Sequence, residues 1–174
     1  MSQPAVSKLS SGLQAALASA WLRPLNDATA LDEVLSWIDP ALTLATIKAR
    51  VGAIIDETAD TKTFVLQPNR HWRGHAAGQH VQVQLDIRGV RTQRTYTISS
   101  APGGDGIAIT VKRQGRFSTH LHERVRVGDV LTLSAAAGNF VLPDVLPEKI
   151  LMISGGSGIT PVMAMLRELA ARRY

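Results

Sequence analysis

Two short runs in this sequence, Arg94-Thr95-Tyr96-Thr97 and Gly115-Arg116-Phe117-Ser118, have residue types suited to holding a phosphate-bearing aromatic ligand. With the first run on a strand, Arg94 and Tyr96 share one face, and Thr97 points to the other unless a bend re-aims it. An arginine, a flat aromatic and a hydroxyl together hold a pyrophosphate, a planar ring and a ring nitrogen. An ordinary edge strand uses the same residues, because Thr and Tyr favour strands. In the second run, backbone donors at the start of a short helix, the Ser118 hydroxyl and Arg116 form an anion site. Each charge-assisted bond there contributes about 1.5–3 kcal/mol. A plainly capped helix start accounts for those residues too.

The charge distribution singles out the same stretch. Residues 88–126 carry Arg88, Arg91, Arg94, Lys112, Arg113, Arg116, Arg124 and Arg126 against Asp105 and Glu123, a local balance of +6 in a chain whose net charge is +5. Residues 1–47 sum to −2, 48–87 to +1 and 127–174 to 0. Arginine outnumbering lysine favours forked recognition of phosphate or carboxylate over a merely solvated face.

The elements that must position these residues follow from periodicity. Residues 1–46 read as an Ala/Leu-rich helical extension, with Leu9, Leu13, Ala16, Leu17 and Ala20 at helical spacing and a short second helix from Asp32 through Trp37. From Ile47 the period changes to two, and Ile47, Ala49, Val51, Ala53 and Ile55 predict the inner face of a half-buried strand. Further strands are predicted over Thr61–Leu66, His80–Ile87, Thr92–Ser99, Ile107–Lys112 and Val130–Ser134, with a short helix near Ser118–Val125. Six short strands and one capping helix predict a mainly β fold, a six-stranded antiparallel Greek-key barrel over residues 47–146.

Residues 147–174 change character. Lys149–Ser154 is an almost continuous apolar run, as expected of a parallel strand buried on both faces. Gly155 to Pro161 then turns the chain, with Thr160 as N-cap and Pro161 first in a helix through Arg172. This predicts the first βα unit of a truncated α/β nucleotide-binding domain, since a parallel strand needs a returning partner.

Composition excludes other chemistries. The chain of 174 residues has no Cys, so it holds no disulfide, thiolate zinc site, Cys nucleophile or Cys-ligated iron–sulfur cluster. With 45% hydrophobic and 19% charged residues it buries a sizeable core. No apolar run reaches 18 residues, so no membrane span is expected. Leu13–Leu22 after Lys8 has a faint signal-peptide character, but Gln14 and Ser19 interrupt it; an amphipathic surface helix in a cytoplasmic protein is the reading adopted. His71, His75 and His80, or His120 and His122, lack the partners and spacing of a zinc site, and no metal is expected.

In order, Arg94–Thr97, Gly115–Ser118 and Gly155–Pro161 (GGSGITP) resemble the motifs of the ferredoxin:NAD(P)H reductase family of flavoproteins. Trp72-Arg73-Gly74-His75 with Gly78-Gln79, Gly128-Asp129 and Gly138-Asn139-Phe140 with Leu142-Pro143 extend the resemblance over residues 47–174. The resemblance implies FAD as cofactor and NAD(P)H as electron donor. Arg94, beside Thr95, would bind the diphosphate, Tyr96 would pack on the isoalloxazine, and Thr97 would offer its hydroxyl to flavin N5 as the catalytic contact. Val111, Lys112 and Arg113 would lie along the flavin, and Gly115, Arg116, Phe117 and Ser118 would cap the diphosphate. Gly156, Gly158 and Thr160 would face the nicotinamide dinucleotide. Thr97 stands where Ser is commoner, and Asn139 where Asp is frequent.

By the same resemblance, hydride passes from NAD(P)H to the flavin, and single electrons then leave to an acceptor such as a 2Fe–2S ferredoxin. The subgroup with a helical extension usually serves fatty-acid desaturases or hydroxylases. Two alternatives remain at this stage. One is a non-catalytic flavin-binding fragment; the other is a basic nucleic-acid-binding barrel, disfavoured because only 5% of residues are aromatic and they form no stacking series.

Overall fold

The computed structural model describes residues 39–174 together with Asp32 and Leu35. The chain forms two compact units, Met1–Ala45 and Thr46–Tyr174. In the first, Asp32 and Leu35 are helical, and the Asp32 carboxylate accepts the Leu44 amide. The helix expected over Leu9–Ala20 lies outside the described residues. No helix among the described residues is long and apolar enough to cross a membrane.

The second unit contains β1 (Ile47–Thr58), β2 (Thr61–Pro68), β3 (His80–Ile87), β4 (Val90–Thr97), β5 (Ile107–Lys112), α1 (Arg116–Arg124), β6 (Val130–Leu133) and α2 (Ile159–Ala171). The strands are ordered β4-β3-β6-β1-β2-β5, and every ladder is antiparallel. A bridge between Ile98 and Ile109 joins the end of β4 to β5 and closes the sheet. With β6 between β3 and β1, this is the antiparallel Greek-key barrel that the period-two runs predict.

The barrel core gathers the alternate residues of each strand: Ala49 and Val51, Phe64 and Leu66, Val81 and Val83, Ile107, Ile109 and Val111, and Leu131 and Leu133. From α1, Phe117 and Leu121 plug the same core. The alternation expected along β1 breaks midway. The register with β2 shifts between Val51 and Ala53, a bulge at Gly52, so Ile54 packs toward the core and Ile55 is exposed.

Two expectations in residues 147–174 are corrected. Lys149–Ser154 forms no strand; Leu151 and Ile153 are 85% and 86% exposed, and Met152 alone of the run joins a buried cluster, with Ala77, Ala164, Met165 and Leu142. The physical reason is the lack of a neighbour: no strand among the described residues pairs with it, and an unpaired segment has no ladder to straighten it. Thr160 is not an N-cap. A 3-10 turn, Gly156–Gly158, leads straight into α2, which begins at Ile159 with Gly158 at the cap. Pro161 is therefore the third helical residue, still within the first turn where its missing N–H has no intrahelical acceptor.

Candidate cofactor site

Antiparallel pairing with β3 places Arg94 opposite Val83 and Tyr96 opposite Val81. Those two valines are fully buried, so Arg94 and Tyr96 emerge on the core-facing side of β4, where the start of α1 lies beside them. Tyr96 and Phe117 bring their ring centroids to 6.1 Å. Strand and helix thereby enclose a cleft of about 210 Å³ lined by Arg94, Thr95, Tyr96 and residues 114–118. The two runs identified from residue type, separated by seventeen residues of chain, line one cavity.

The helix start supplies the second half of the site. Gly115 is the N-cap at φ +94, without a side-chain cap bond, and the first turn contains no acidic residue. The amides of Arg116, Phe117 and Ser118 have no intrahelical acceptors and carry the positive end of the helix dipole. The Ser118 hydroxyl is used differently from the expected anion contact. Ser118 is the third helical residue and is buried; its Oγ accepts the Gln114 amide at 2.7 Å and donates to the Gly115 carbonyl at 3.1 Å. It shapes the turn that presents the amides. The helix starts two residues earlier than the sequence suggests because Gly115, not a hydroxyl residue, occupies the cap.

The electrostatics of the cleft are cationic and apolar at once. Burial holds the Tyr96 hydroxyl neutral, raising its pKa to about 12, while the nearby Arg94 charge pulls weakly the other way. Arg94 and Arg116 are exposed, and the Arg94 guanidinium donates to the Gln93 carbonyl at 2.7 Å. Arg116 also borders a neighbouring depression with Arg88, His120 and Arg124.

Other expected site residues lie apart from this cleft. Val111 is buried in the barrel core, and its carbonyl lies 2.8 Å from His122 Nε2. Lys112 pairs with Asp60 at 3.4 Å, and the Arg113 amide donates to the Asp60 carbonyl at 2.6 Å. The Thr58 and Thr61 hydroxyls, helped by Lys112, keep the Asp60 carboxyl below its usual range. Thr97, opposite His80, falls on the face away from Tyr96. Gly156, at φ +55, and Gly158 form the turn before α2, and Thr160 lies in its first turn. Gln114, which lines the cleft, was not singled out in the sequence; a lone glutamine before a glycine carries no distinguishing pattern.

The sequence profile of a family described as the oxidoreductase FAD-binding domain matches residues 48–142. The chain belongs to that family. It is the family to which the Arg94, Gly115 and Gly155 motifs point, the ferredoxin reductase-type flavoproteins. The chain is 36% identical over 148 residues to the NADPH oxidoreductase of Mycobacterium tuberculosis, covering 81% of this chain and 39% of that protein. It is 42% identical over 124 residues to the glycine betaine monooxygenase reductase subunit of Chromohalobacter salexigens, covering 68% of this chain and 33% of that subunit. The chain therefore spans two fifths or less of the length of these curated relatives. Among solved structures, the flavohem-like FAD/NAD-binding domain of nitric oxide dioxygenase from Vibrio cholerae O1 biovar El Tor superposes with a TM-score of 0.64 at 33% identity. That match covers 74% of this chain and 59% of the other.

The cleft fits the cofactor of this FAD-binding domain. A diphosphate requires positive charge and backbone donors without a competing carboxylate, and Arg94, Arg116 and the α1 amides provide that set. A flavin ring requires a flat apolar wall, and Tyr96 provides one backed by Phe117.

Proposed function

We propose that this chain is the flavin-holding part of an NAD(P)H-dependent reductase that delivers electrons singly to an acceptor such as a 2Fe–2S ferredoxin. The observation that carries this reading is the cleft in which Arg94 and Tyr96 meet the α1 start. The names of the relatives, an NADPH oxidoreductase and the reductase subunit of a monooxygenase, support it. A desaturase or hydroxylase is the class of terminal enzyme that such a reductase feeds.

When bound, FAD supplies the exchange between two-electron and one-electron chemistry. The protein's contribution is binding, orientation and field. Arg94, Arg116 and the amides of Arg116 to Ser118 neutralise and orient the diphosphate, while Tyr96 lies along the flavin. We assign to Thr97, the last residue of β4, the hydroxyl that meets the ring nitrogen, which it reaches from the strand's end rather than from the Tyr96 face. Lys112 and Arg113 flank the flavin more remotely, Lys112 with its charge shared with Asp60.

Residues 147–174 form, in this reading, the beginning of the nucleotide-binding domain, after a barrel at 47–146 and an extension at 1–46. Gly156, Gly158 and Thr160 face the nicotinamide dinucleotide. Support comes from the open space around Gly155 and Gly156, where a Cβ would meet nothing within 4 Å and a ligand can approach the backbone.

The test is the visible spectrum of the purified chain, followed by titration with FAD. Uptake of one FAD per chain is expected, with Arg94→Ala weakening it about tenfold or more through loss of charge-assisted bonds. A colourless protein that takes up no added FAD rejects the reading.

A further inference from the structure

The segment that follows Tyr96 and Thr97 is fastened from two sides. On one side β5 holds it: the Ser99 amide donates to the Ala108 carbonyl at 2.7 Å, the Ser99 hydroxyl to the same carbonyl at 3.1 Å, and the Ala108 amide to Ser100 Oγ at 3.1 Å. Behind Ser99, the Thr110 hydroxyl donates to Ser99 Oγ at 3.1 Å. These bonds use the amide and hydroxyl of Ser99. They leave its carbonyl pointing elsewhere.

That carbonyl accepts the guanidinium of Arg167, which comes from α2. The next carbonyl, that of Ser100, lies 3.3 Å from His75 Nε2. The helix carrying Arg167 is itself docked with little freedom. Ala164 is 0% exposed and Met165 4%, both packed on Ala77. At Gly78 a Cβ would fall 2.7 Å from Met165 Cε and 2.0 Å from the Phe140 carbonyl oxygen, so the backbone there is in direct contact with α2. Arg167 thus adds a directed polar bond to a largely apolar contact, in which the neighbouring Glu168 is also buried. A lone apolar contact fixes separation but not register, whereas a guanidinium on a carbonyl fixes both.

We propose that Arg167 is a positioning residue for the flavin site: by holding the Ser99 carbonyl it ties α2 to the strand end that presents Tyr96 and Thr97. Ser99 is two residues beyond Thr97 and three beyond Tyr96, and Ile98 between them is fully buried and bonded through its amide to the Gln79 carbonyl at 2.9 Å. A shift of Ser99 along its length is therefore transmitted to Thr97 and Tyr96 through a short, packed stretch of backbone. The helix after the GGSGITP turn, on the nucleotide side, and the ring-binding strand then move as one piece. Arg167 touches neither of the ligands; it acts through Ser99. This inference rests on the flavin-site reading of β4 above.

The experiment compares wild type, Arg167→Met and Arg167→Lys in two measurements. In the FAD-free protein, amide hydrogen exchange at Ile98 and Ser99 is expected to quicken about tenfold in the Met variant, the loss of one charge-assisted bond. The Lys variant, which keeps a single donor for a single carbonyl, is expected to restore most of the protection. With FAD added, the Met variant is expected to bind about tenfold more weakly with an altered, less resolved visible band, and Lys to recover both. Because Arg167 is exposed on the surface of α2, the melting temperature is expected to change little.

Unchanged exchange and unchanged FAD spectrum in Arg167→Met overturn the proposal. So does a variant whose only defect is lower thermal stability, or one that Lys fails to rescue, because both describe a merely structural arginine. If wild type takes up no FAD, the flavin reading fails, and the exchange measurement still decides whether Arg167 holds the strand end.

Discussion

Tyr96 from β4 and Phe117 from α1 meet with ring planes inclined by 33°, one ring half-buried in the cleft wall and the other 4% exposed beneath it. This pair sets how far the strand stands from the helix, and hence whether Arg94 and Arg116 border the same cavity. Phe117→Ala removes a buried ring from the junction and is expected to cost about 3–5 kcal/mol of stability. FAD affinity is expected to fall as well, with Phe117→Leu intermediate in both. Urea unfolding with parallel FAD titration checks this; a Phe117→Ala protein as stable as wild type would falsify the assignment of Phe117 as the spacer.

The Tyr96 hydroxyl offers an independent optical handle on the same junction. Its pKa of about 12 reflects the cost of placing a phenolate in the half-buried wall, only partly offset by Arg94. The folded value lies above the ordinary 10, so the group's contribution to stability is complete below pH 10 and is lost as pH rises through 12. Tyr96→Phe is therefore expected to leave the ultraviolet phenolate signal below pH 11 unchanged and to remove only the highest-pH transition. A phenolate signal lost near pH 10 in that variant would show an exposed hydroxyl.

Much of this arrangement is visible in the residues themselves. Val81, Val83 and Ile87 alternate with polar residues and are buried as alternation requires. Arg94-x-Tyr96 and the Gly115 run announce phosphate and ring chemistry, though not their proximity, which depends on barrel closure and the packing of α1. The misread features have local physical causes. The Gly52 bulge shifts β1 by one residue, an event that alternation cannot signal. The cap at Gly115 rather than a hydroxyl residue moves Ser118 inside the helix. The apolar run at 149–154 has strand composition, but a ladder requires a neighbour, and composition does not supply one.

Gly78 and Gly74 separate backbone strain from collision. Both have positive φ, +100 and +88, but a Cβ at Gly78 meets the Phe140 carbonyl oxygen at 2.0 Å, while one at Gly74 meets nothing within 4 Å. Gly74→Ala is expected to cost about 1 kcal/mol from strain alone. Gly78→Ala is expected to cost at least about 2 kcal/mol more, because Phe140 backbone or α2 must give way. Thermal melts of the two variants test this. Equal losses would mean that neither the Phe140 backbone nor α2 lies against Gly78.

His75 makes the same region sensitive to acid. Burial lowers its pKa from the ordinary 6.5, outweighing the Ser100 carbonyl and the negative charge of Glu168, both of which raise it. A carbonyl only accepts, so the contact at 3.3 Å requires a proton on Nε2; the imidazolium carries one too, and it is burial, not this bond, that disfavours the charged ring. Trp72 lies against it with ring centroids 6.1 Å apart. Between the lowered folded value and 6.5 the unfolded chain binds more protons than the folded one, so stability rises with pH through that window. The contribution is fully present above pH 6.5 and is lost as pH falls through the folded value. The melting temperature of wild type is accordingly expected to drop between pH 7.5 and pH 5. His75→Gln, whose amide also donates to the Ser100 carbonyl but does not titrate, is expected to show a shallower drop over the same range. The difference between the two profiles isolates His75 from the other four histidines. Parallel profiles would mean that His75 is solvated and holds no part of the Ser99–Ser100 segment.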